Sequence, residues 1–403
     1  MKTGRLLSIS LGHMFSDILS SSVAMILTMM SGQFELEPSG IAFGALLYTI
    51  CSSLTQPFFG LWADKLRGRW LAPAGLLWTM LFFLTIPFAP SYFVMITLLC
   101  IGALGSAAIH TAGMLIAPDA GGRYSTTATS IFFVLGQLGL AVGPFFAGTM
   151  FERFGMMGLL IPALTALPIV VLMFIALRDP IDDPNYEPLN EERIDEKLEE
   201  RETNRVNPKA AASTQVAWGA LGALLLLILL RSTTLHSYTV LLPGYFQALG
   251  DSPAEYGYKL MIFMLGFAAG TFAGGLLGDI FSRRVVIFVS TIASIPFCYL
   301  MLGSDGWLFI VSALMAAFFL NMAHSILIIM AQALLPKNKG MMGGVVLGFM
   351  FASGAVMAWI AGLAADVWGL TEVMYALAFV PILAALSVFL LPRTRPKNTA
   401  ASV

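Results

Sequence analysis

Residues 60–64 read Gly-Leu-Trp-Ala-Asp, and residues 275–279 read Gly-Leu-Leu-Gly-Asp, 215 positions later in a chain of 403. Each pentad closes an apolar run, and bases follow each: Lys65 and Arg67 in one case, Arg283 and Arg284 in the other. One such pentad is an ordinary helix end with charged flanks. Two at half-chain spacing mark an internal duplication, the plan of many membrane carriers, whose solute site lies between the halves near mid-membrane. Gly60 and Gly275 leave room for a neighbouring helix. Asp64 and Asp279 are placed to pair with a base or to cap a helix end on the same face.

Composition agrees. Hydrophobic residues make up 58% of the chain and charged ones 11%, against about 25% charged in a soluble domain. Runs of some twenty apolar residues, each long enough to cross about 30 Å of hydrocarbon, recur from end to end. A net charge of −1 gives nucleic acid nothing to bind. Cys51, Cys100 and Cys298 all sit inside apolar runs without disulfide or metal spacing, so they read as buried thiols. No metal or cofactor motif is present.

Breaking the chain at charge and Pro/Gly clusters gives twelve spans, near 6–30, 40–63, 70–88, 92–117, 126–150, 155–177, 216–247, 255–278, 284–302, 306–334, 341–365 and 371–391. The first apolar run lacks a small-residue cleavage pattern and is read as a retained helix. Nineteen of the 22 Lys and Arg fall on one side of this topology and two, Arg153 and Lys259, on the other. Positive-inside bias therefore puts both termini in the cytoplasm, which an even number of spans requires. The expected organisation is a six-helix half over 1–178, a charged cytoplasmic linker over 179–213 with one helix near 189–204, and a second six-helix half over 214–403.

A charge inside a span costs roughly 2.5–3.5 kcal/mol at its centre, so ionisable residues there mark function. All four histidines lie in spans: His13, His110, His236 and His324. Asp17 is the one mid-span carboxylate, and His13, four residues earlier, shares its helical face. Such a carboxylate takes up and releases protons as its surroundings change. Arg231 is the one base deep in a span. Its position minus the repeat offset is Ser16, beside Asp17. It is therefore read either as pairing with Asp17 across the halves or as holding an anionic solute. Asn321, three residues before His324, joins this polar set. Span 5 carries Gly136-Gln-Leu-Gly139-Leu-Ala-Val-Gly143-Pro144-Phe-Phe-Ala-Gly148, a small-residue face for close packing with a proline bend. Pro243-Gly244 is expected to break the outer end of span 7 as a gate hinge.

GLWADKLRGRW and GGLLGDIFSRR resemble the loop 2–3 and loop 8–9 signatures of the major facilitator superfamily, over essentially the whole chain. Within it, Gly12-His13 to Asp17, Leu54 to Lys65, Gly102 to His110 and Gly-Leu-Ala-Ala-Asp366 are similar to the fosmidomycin-resistance group of efflux proteins. Thr111-Ala112 depart from that group's Pro-Glu. The resemblance implies an all-α membrane protein of twelve helices in two pseudosymmetric halves. Helices 1, 4, 7 and 10, which carry the four histidines, would line its cavity. His110, Arg231, His236, Asn321 and His324 are then cavity residues, and Asp17 with His13 the proton-coupling pair. Gly60, Asp64, Lys65, Gly275, Asp279 and Arg283 form the cytoplasmic gate motifs. Gly139, Gly143, Pro144 and Gly148 match an antiporter motif.

The expected function is secondary export of small amphipathic compounds, antibiotics among them, by proton antiport. The protein would act as a monomer in the bacterial inner membrane, with protons, a small solute and lipid as its partners. A proton-coupled symporter or permease is the alternative. A polytopic membrane enzyme is disfavoured, because no metal-ligand motif, nucleophile elbow or phosphate loop is seen.

Overall fold

A computed structural model describes residues 1–66, 70–179, 218–334 and 339–391, and in these residues there is helix and no strand. Lipid cannot hydrogen-bond a peptide group, so a segment crossing it must satisfy its own backbone, which a helix does. Eleven stretches are long and apolar enough to span a membrane. One of them, Thr127–Ala176, runs for 50 residues and contains two passes. The chain turns at Gly155, whose φ of 60° suits glycine, and doubles back so that Gly158 lies against the Met150 carbonyl.

The twelve passes are α1 (Thr3–Met29), α2 (Pro38–Leu54, continued by Gln56–Lys65), α3 (Leu71–Thr85), α4 (Tyr92–Gly121), α5 (Ser125–Phe154), α6 (Leu160–Leu164 and Leu167–Ala176), α7 (Trp218–Ala248), α8 (Pro253–Ile280), α9 (Arg283–Leu302), α10 (Gly306–Asn321 and Ala323–Leu334), α11 (Lys339–Trp368) and α12 (Leu370–Leu377 and Val380–Ser387). These bounds follow the charge and Pro/Gly breaks in the sequence. Proline opens α2 and α8, where a missing N–H costs nothing. Ser252 and Glu255 form a capping box on α8.

Two sets of packed helices result. One apolar core is drawn from residues between Leu6 and Leu177. The others are drawn mainly from α7 to α12, with Met25, Ala42 and Ala141 of the first set reaching into one of them. Without a hydrophobic force between helices in lipid, close packing rests on small residues. The α5 glycines show how. A Cβ on Gly139 would lie 2.9 Å from the Met14 carbonyl carbon, and one on Gly143 would lie 3.0 Å from that of Ile18, so both sit against the α1 backbone. Gly148 faces instead Pro253 of the other half. Across the halves, α5 packs on α8, α11 on α2, and α1 on α7.

Three expectations are corrected. Pro243 does not break α7, which continues to Ala248, just as α4 and α5 run on through Pro118 and Pro144. Gly60 and Gly275 bring no helix close: nothing lies within 4 Å of where their Cβ atoms would stand. Asp279 is exposed and has no ion pair among the described residues, and Lys65 is exposed. The reason is shared, since the halves meet at the opposite end and leave the end carrying both pentads unpacked. Arg284, rather than Arg283, is the base that engages, donating to the Val388 and Phe389 carbonyls at the end of α12. The side chain of Asp64 and the linker with its expected helix near 189–204 lie outside the described residues.

Gly139→Val, driving a branched side chain into the α1 backbone, should cost about 1–3 kcal/mol and lower the melting temperature of the purified protein. Gly60→Val should stay within about 0.5 kcal/mol. Equal melting temperatures for the two variants would contradict this packing.

Candidate functional site

Asp17 and His13 stand one turn apart on α1, with 4% and 3% of their surface exposed. His13 Nε2 lies 3.1 Å from Asp17 Oδ2. From α4, His110 places its Nε2 3.2 Å from Asp17 Oδ1. A histidine expected to stand apart on the cavity wall thus joins the expected coupling pair, and the carboxylate is gripped from both sides.

Both imidazoles are held from behind. His13 Nδ1 lies 2.9 Å from the Phe132 carbonyl of α5, and His110 Nδ1 lies 2.8 Å from the Ser106 carbonyl one turn back. A carbonyl only accepts, so both Nδ1 atoms carry hydrogen and donate. The His13 ring stacks on Phe132 at 4.0 Å and meets His110 edge-on at 4.8 Å. Gly136 makes the seat, since a Cβ there would stand 2.6 Å from the His13 ring nitrogens. A belt of hydroxyls adjoins the cluster. Ser16 and Ser20 reach Ser106 at 3.4 and 3.3 Å, and Ser20 reaches Tyr48 at 2.8 Å.

This geometry fixes a proton count. With Nδ1 protonated, a neutral imidazole presents a lone pair at Nε2, and an ionised carboxylate presents only lone pairs. Each Nε2···O contact therefore needs one proton to be a hydrogen bond. With no such proton both contacts are repulsive, with one proton one contact is bonded, and with two protons both are. Counted this way, the cluster carries a net charge of −1 with no such proton, 0 with one and +1 with two. The three ligand atoms lie within 4.8 Å of one another, the one such His/Cys/Asp/Glu group among the described residues. Their mutual hydrogen bonds already match them to protons.

The second half carries a different polar centre. Arg231 of α7 is 3% exposed. Its Nε donates to the Leu320 carbonyl at 2.9 Å and its Nη2 to Asn321 Oδ1 at 2.5 Å. Asn321 is oriented by its own donations to Thr271 Oγ1 and the Phe267 carbonyl of α8, at 2.7 and 3.1 Å. α10 is interrupted here, between Asn321 and Ala323. Pairing of Arg231 with Asp17 is not found in this state: its partners are both on α10, and no carboxylate pairs with it among the described residues. His236 packs on α11, edge-on to Phe351 at 5.7 Å and seated on Gly354. His324 is half-buried. Unlike His110, it has no carboxylate partner among the described residues.

Sequence reasoning missed the hydroxyl belt, the seats at Gly136 and Gly354, and Thr271. The serines at 16 and 20 share a helical face with Asp17, which is the one signal that pointed to them.

The model of the Major Facilitator Superfamily matches twice, over residues 9–250 and 224–402. The fosmidomycin resistance protein of Escherichia coli (strain K12) is 29% identical, with 98% of this chain and 94% of that protein covered. The MFS-type transporter YfnC of Bacillus subtilis (strain 168) is 29% identical over 96% of this chain and 92% of its own. Among solved structures, a bacterial homologue of the human lysosomal transporter Spinster, inward-facing and unoccupied, superposes with a TM-score of 0.76 at 15% identity, covering 96% of each chain. The nucleoside transporter NupG superposes at 0.65 and 14% identity, over 96% of this chain and 98% of that one. At these identities the two structures bear on the fold.

Asn321→Leu removes an acceptor from a buried guanidinium and should destabilise the protein by about 1–3 kcal/mol, seen as a lower midpoint in thermal or denaturant melting. Thr271→Ala leaves the Arg231 contacts in place and should cost under about 1.5 kcal/mol. The opposite order would show that Asn321 does not anchor Arg231.

Proposed function

The chain belongs to the Major Facilitator Superfamily, and from that membership we propose a proton-driven antiporter that exports small amphipathic compounds by alternating access. The observation that carries this reading is the His13–Asp17–His110 cluster, whose hydrogen bonds demand either one proton or two. A site that changes by one proton as its surroundings alternate is what coupling to a proton gradient requires.

The direction of transport is supported by the likeness to the fosmidomycin resistance protein and by the small-residue face of α5. The halves over 1–178 and 214–403 are proposed to rock as units joined by the linker over 179–213. Positive-inside bias assigns the unpacked, basic end to the cytoplasm. The structure is then the inward-facing state of a bacterial inner-membrane protein with both termini inside, acting as a monomer.

In this scheme His110, with 32% of its side chain exposed, is the member of the cluster through which protons arrive from the space between the halves. His13 and Asp17 hold them out of contact with lipid. In the other half, Arg231, held by dipoles and by no carboxylate among the described residues, is the charge that an anionic group on a solute meets. His236 and His324 flank the path, and Asn321 keeps Arg231 aimed. A cation in one wall and a proton cluster in the other let a solute and a proton compete for the same electrostatic field without touching the same atom.

Asp17→Asn removes the anion that makes both imidazole contacts possible. In everted vesicles it should abolish uphill substrate movement driven by a pH gradient, by roughly 100-fold or more, while exchange of labelled for unlabelled substrate persists. Gradient-driven transport retained by that variant would sink the coupling role. For orientation, a reporter active only in the cytoplasm should work when fused after Asn190. Activity there of a periplasm-only reporter would reverse the topology.

A further inference from the structure

The end where the halves touch is built twice, in three matching layers. In the first layer Phe43 of α2 meets Trp359 of α11 at 5.8 Å, and Tyr258 of α8 meets Phe145 of α5 at 6.2 Å. In the second, glycine meets proline. A Cβ on Gly362 would lie 2.9 Å from the Pro38 carbonyl oxygen, and one on Gly148 would lie 2.9 Å from the Pro253 carbonyl carbon. In the third, a carboxylate meets a helix start. Asp366 Oδ1 accepts from the Ser39 N–H at 3.0 Å, and Glu152 Oε2 accepts from the Ala254 N–H at 2.8 Å.

The sequence keeps register through all three layers. Phe43 and Tyr258, Pro38 and Pro253, and Ser39 and Ala254 each stand 215 positions apart. Phe145 and Trp359, Gly148 and Gly362, and Glu152 and Asp366 each stand 214 apart. A single carboxylate at a helix start would be an accident of packing. Two, related by the internal repeat and each reaching from one half into the other, form a device.

Its chemistry is specific. The first turn of a helix has N–H groups without an i−4 carbonyl, and the summed peptide dipole makes that end positive. Proline at the first position leaves the next N–H as the outermost donor, which is Ser39 on α2 and Ala254 on α8. The acceptor is anionic, so each bond is charge-assisted. Both bonds also lie where water reaches them. When the halves part, water replaces each partner, so the bonds hold without locking. Glycine at 148 and 362 is what lets the helix backbones come close enough for the carboxylates to reach.

We infer that Glu152 and Asp366 are the paired gate residues of the outer end. Together they hold that end shut in the inward-facing state, and both let go when it opens. Neither residue touches the proton cluster or Arg231. The inference rests on the alternating-access reading and the orientation proposed above, and is indifferent to the coupling ion and the solute.

The test uses the full chain in intact cells, with Cys51, Cys100 and Cys298 replaced by alanine and one reporter added. Ala42→Cys is suitable, since Ala42 is 1% exposed and packed into the other half's core at this seam. A membrane-impermeant maleimide supplied outside reaches it only when the outer end opens. With Glu152→Ala and Asp366→Ala combined, labelling should accelerate roughly five-fold for each bond lost, at about the ordinary worth of a hydrogen bond. Each single variant should give about half the effect on a logarithmic scale. Glu152→Gln and Asp366→Asn keep an oxygen acceptor but lose the charge, so they should fall between wild type and alanine. A second reporter, Ala103→Cys, inside the first half's core at 0% exposure, should stay unlabelled throughout. Equal Ala42→Cys labelling in wild type and the double variant overturns the gate assignment and leaves the transport reading standing. Parallel acceleration of the Ala103→Cys reporter also overturns it, since that marks general loosening. A reporter at 42 that labels in no background shows that the halves never part, and it overturns the alternating-access reading with the gate.

Discussion

An anion in hydrocarbon must be answered by protons or cations in contact with it, and Asp17 is where this chain meets that constraint. Its carboxylate is 4% exposed and has a histidine on either side. Neither histidine is free to turn away, because each is tied to a backbone carbonyl through Nδ1. The tie on His13 comes from α5, and His13 fits only because residue 136 is glycine. The close approach of α1 and α5 along Gly139 and Gly143 is therefore more than packing. It brings the Phe132 carbonyl within reach and so determines which nitrogen of His13 faces the carboxylate. A larger residue on that face would disturb the His13–Asp17 contact from a full turn away.

Arg231 answers the same constraint differently. A buried guanidinium usually finds a carboxylate. Here it finds the Leu320 carbonyl and the Asn321 amide oxygen, both beside the interruption in α10. A helix carbonyl normally accepts from the residue four positions on, so an interruption is where one becomes available to a side chain. The break and the arginine explain each other. The guanidinium takes up the carbonyl beside the break, and among the described residues no carboxylate pairs with it.

The fold was legible in the sequence because hydrocarbon leaves few choices. Length, apolarity and the placing of charge dictate where a helix crosses, and the twelve spans read from those signals match the helices closely. Asp17 and His13 were legible together because four residues is one helical turn. His110 could be placed on its helix but not against Asp17, since nothing in a sequence gives the rotation of α4 about its axis. Arg231 was tied to Asp17 through the repeat offset, yet its partners lie on its own half. Repeat arithmetic relates positions and says nothing of contact. Pro243 misled because a helix in a membrane tolerates an internal proline and runs on past it. The pentads at 60–64 and 275–279 misled in another way. They mark the end of the molecule that is apart in this state, so the contact expected of their glycines is absent while the repeat they announce is real.

The two halves have kept their likeness unevenly, and the pattern follows from what each region must do. At the seam, three layers of contact repeat in register, Phe43 with Tyr258 and Gly148 with Gly362 among them. Two halves that close on each other through a pseudo-twofold axis bury matching surfaces, so a change on one side of the seam unbalances the other. At the centre, the likeness is partial: His110 and His324 stand 214 apart, in register, but their surroundings differ. The position that the offset pairs with Arg231 is Ser16, and His324 has no counterpart of the Asp17 carboxylate. The divergence leaves a buried guanidinium in one half and a carboxylate between two imidazoles in the other. The duplicated frame is symmetric at its seam, and the polar groups it carries at the centre are not.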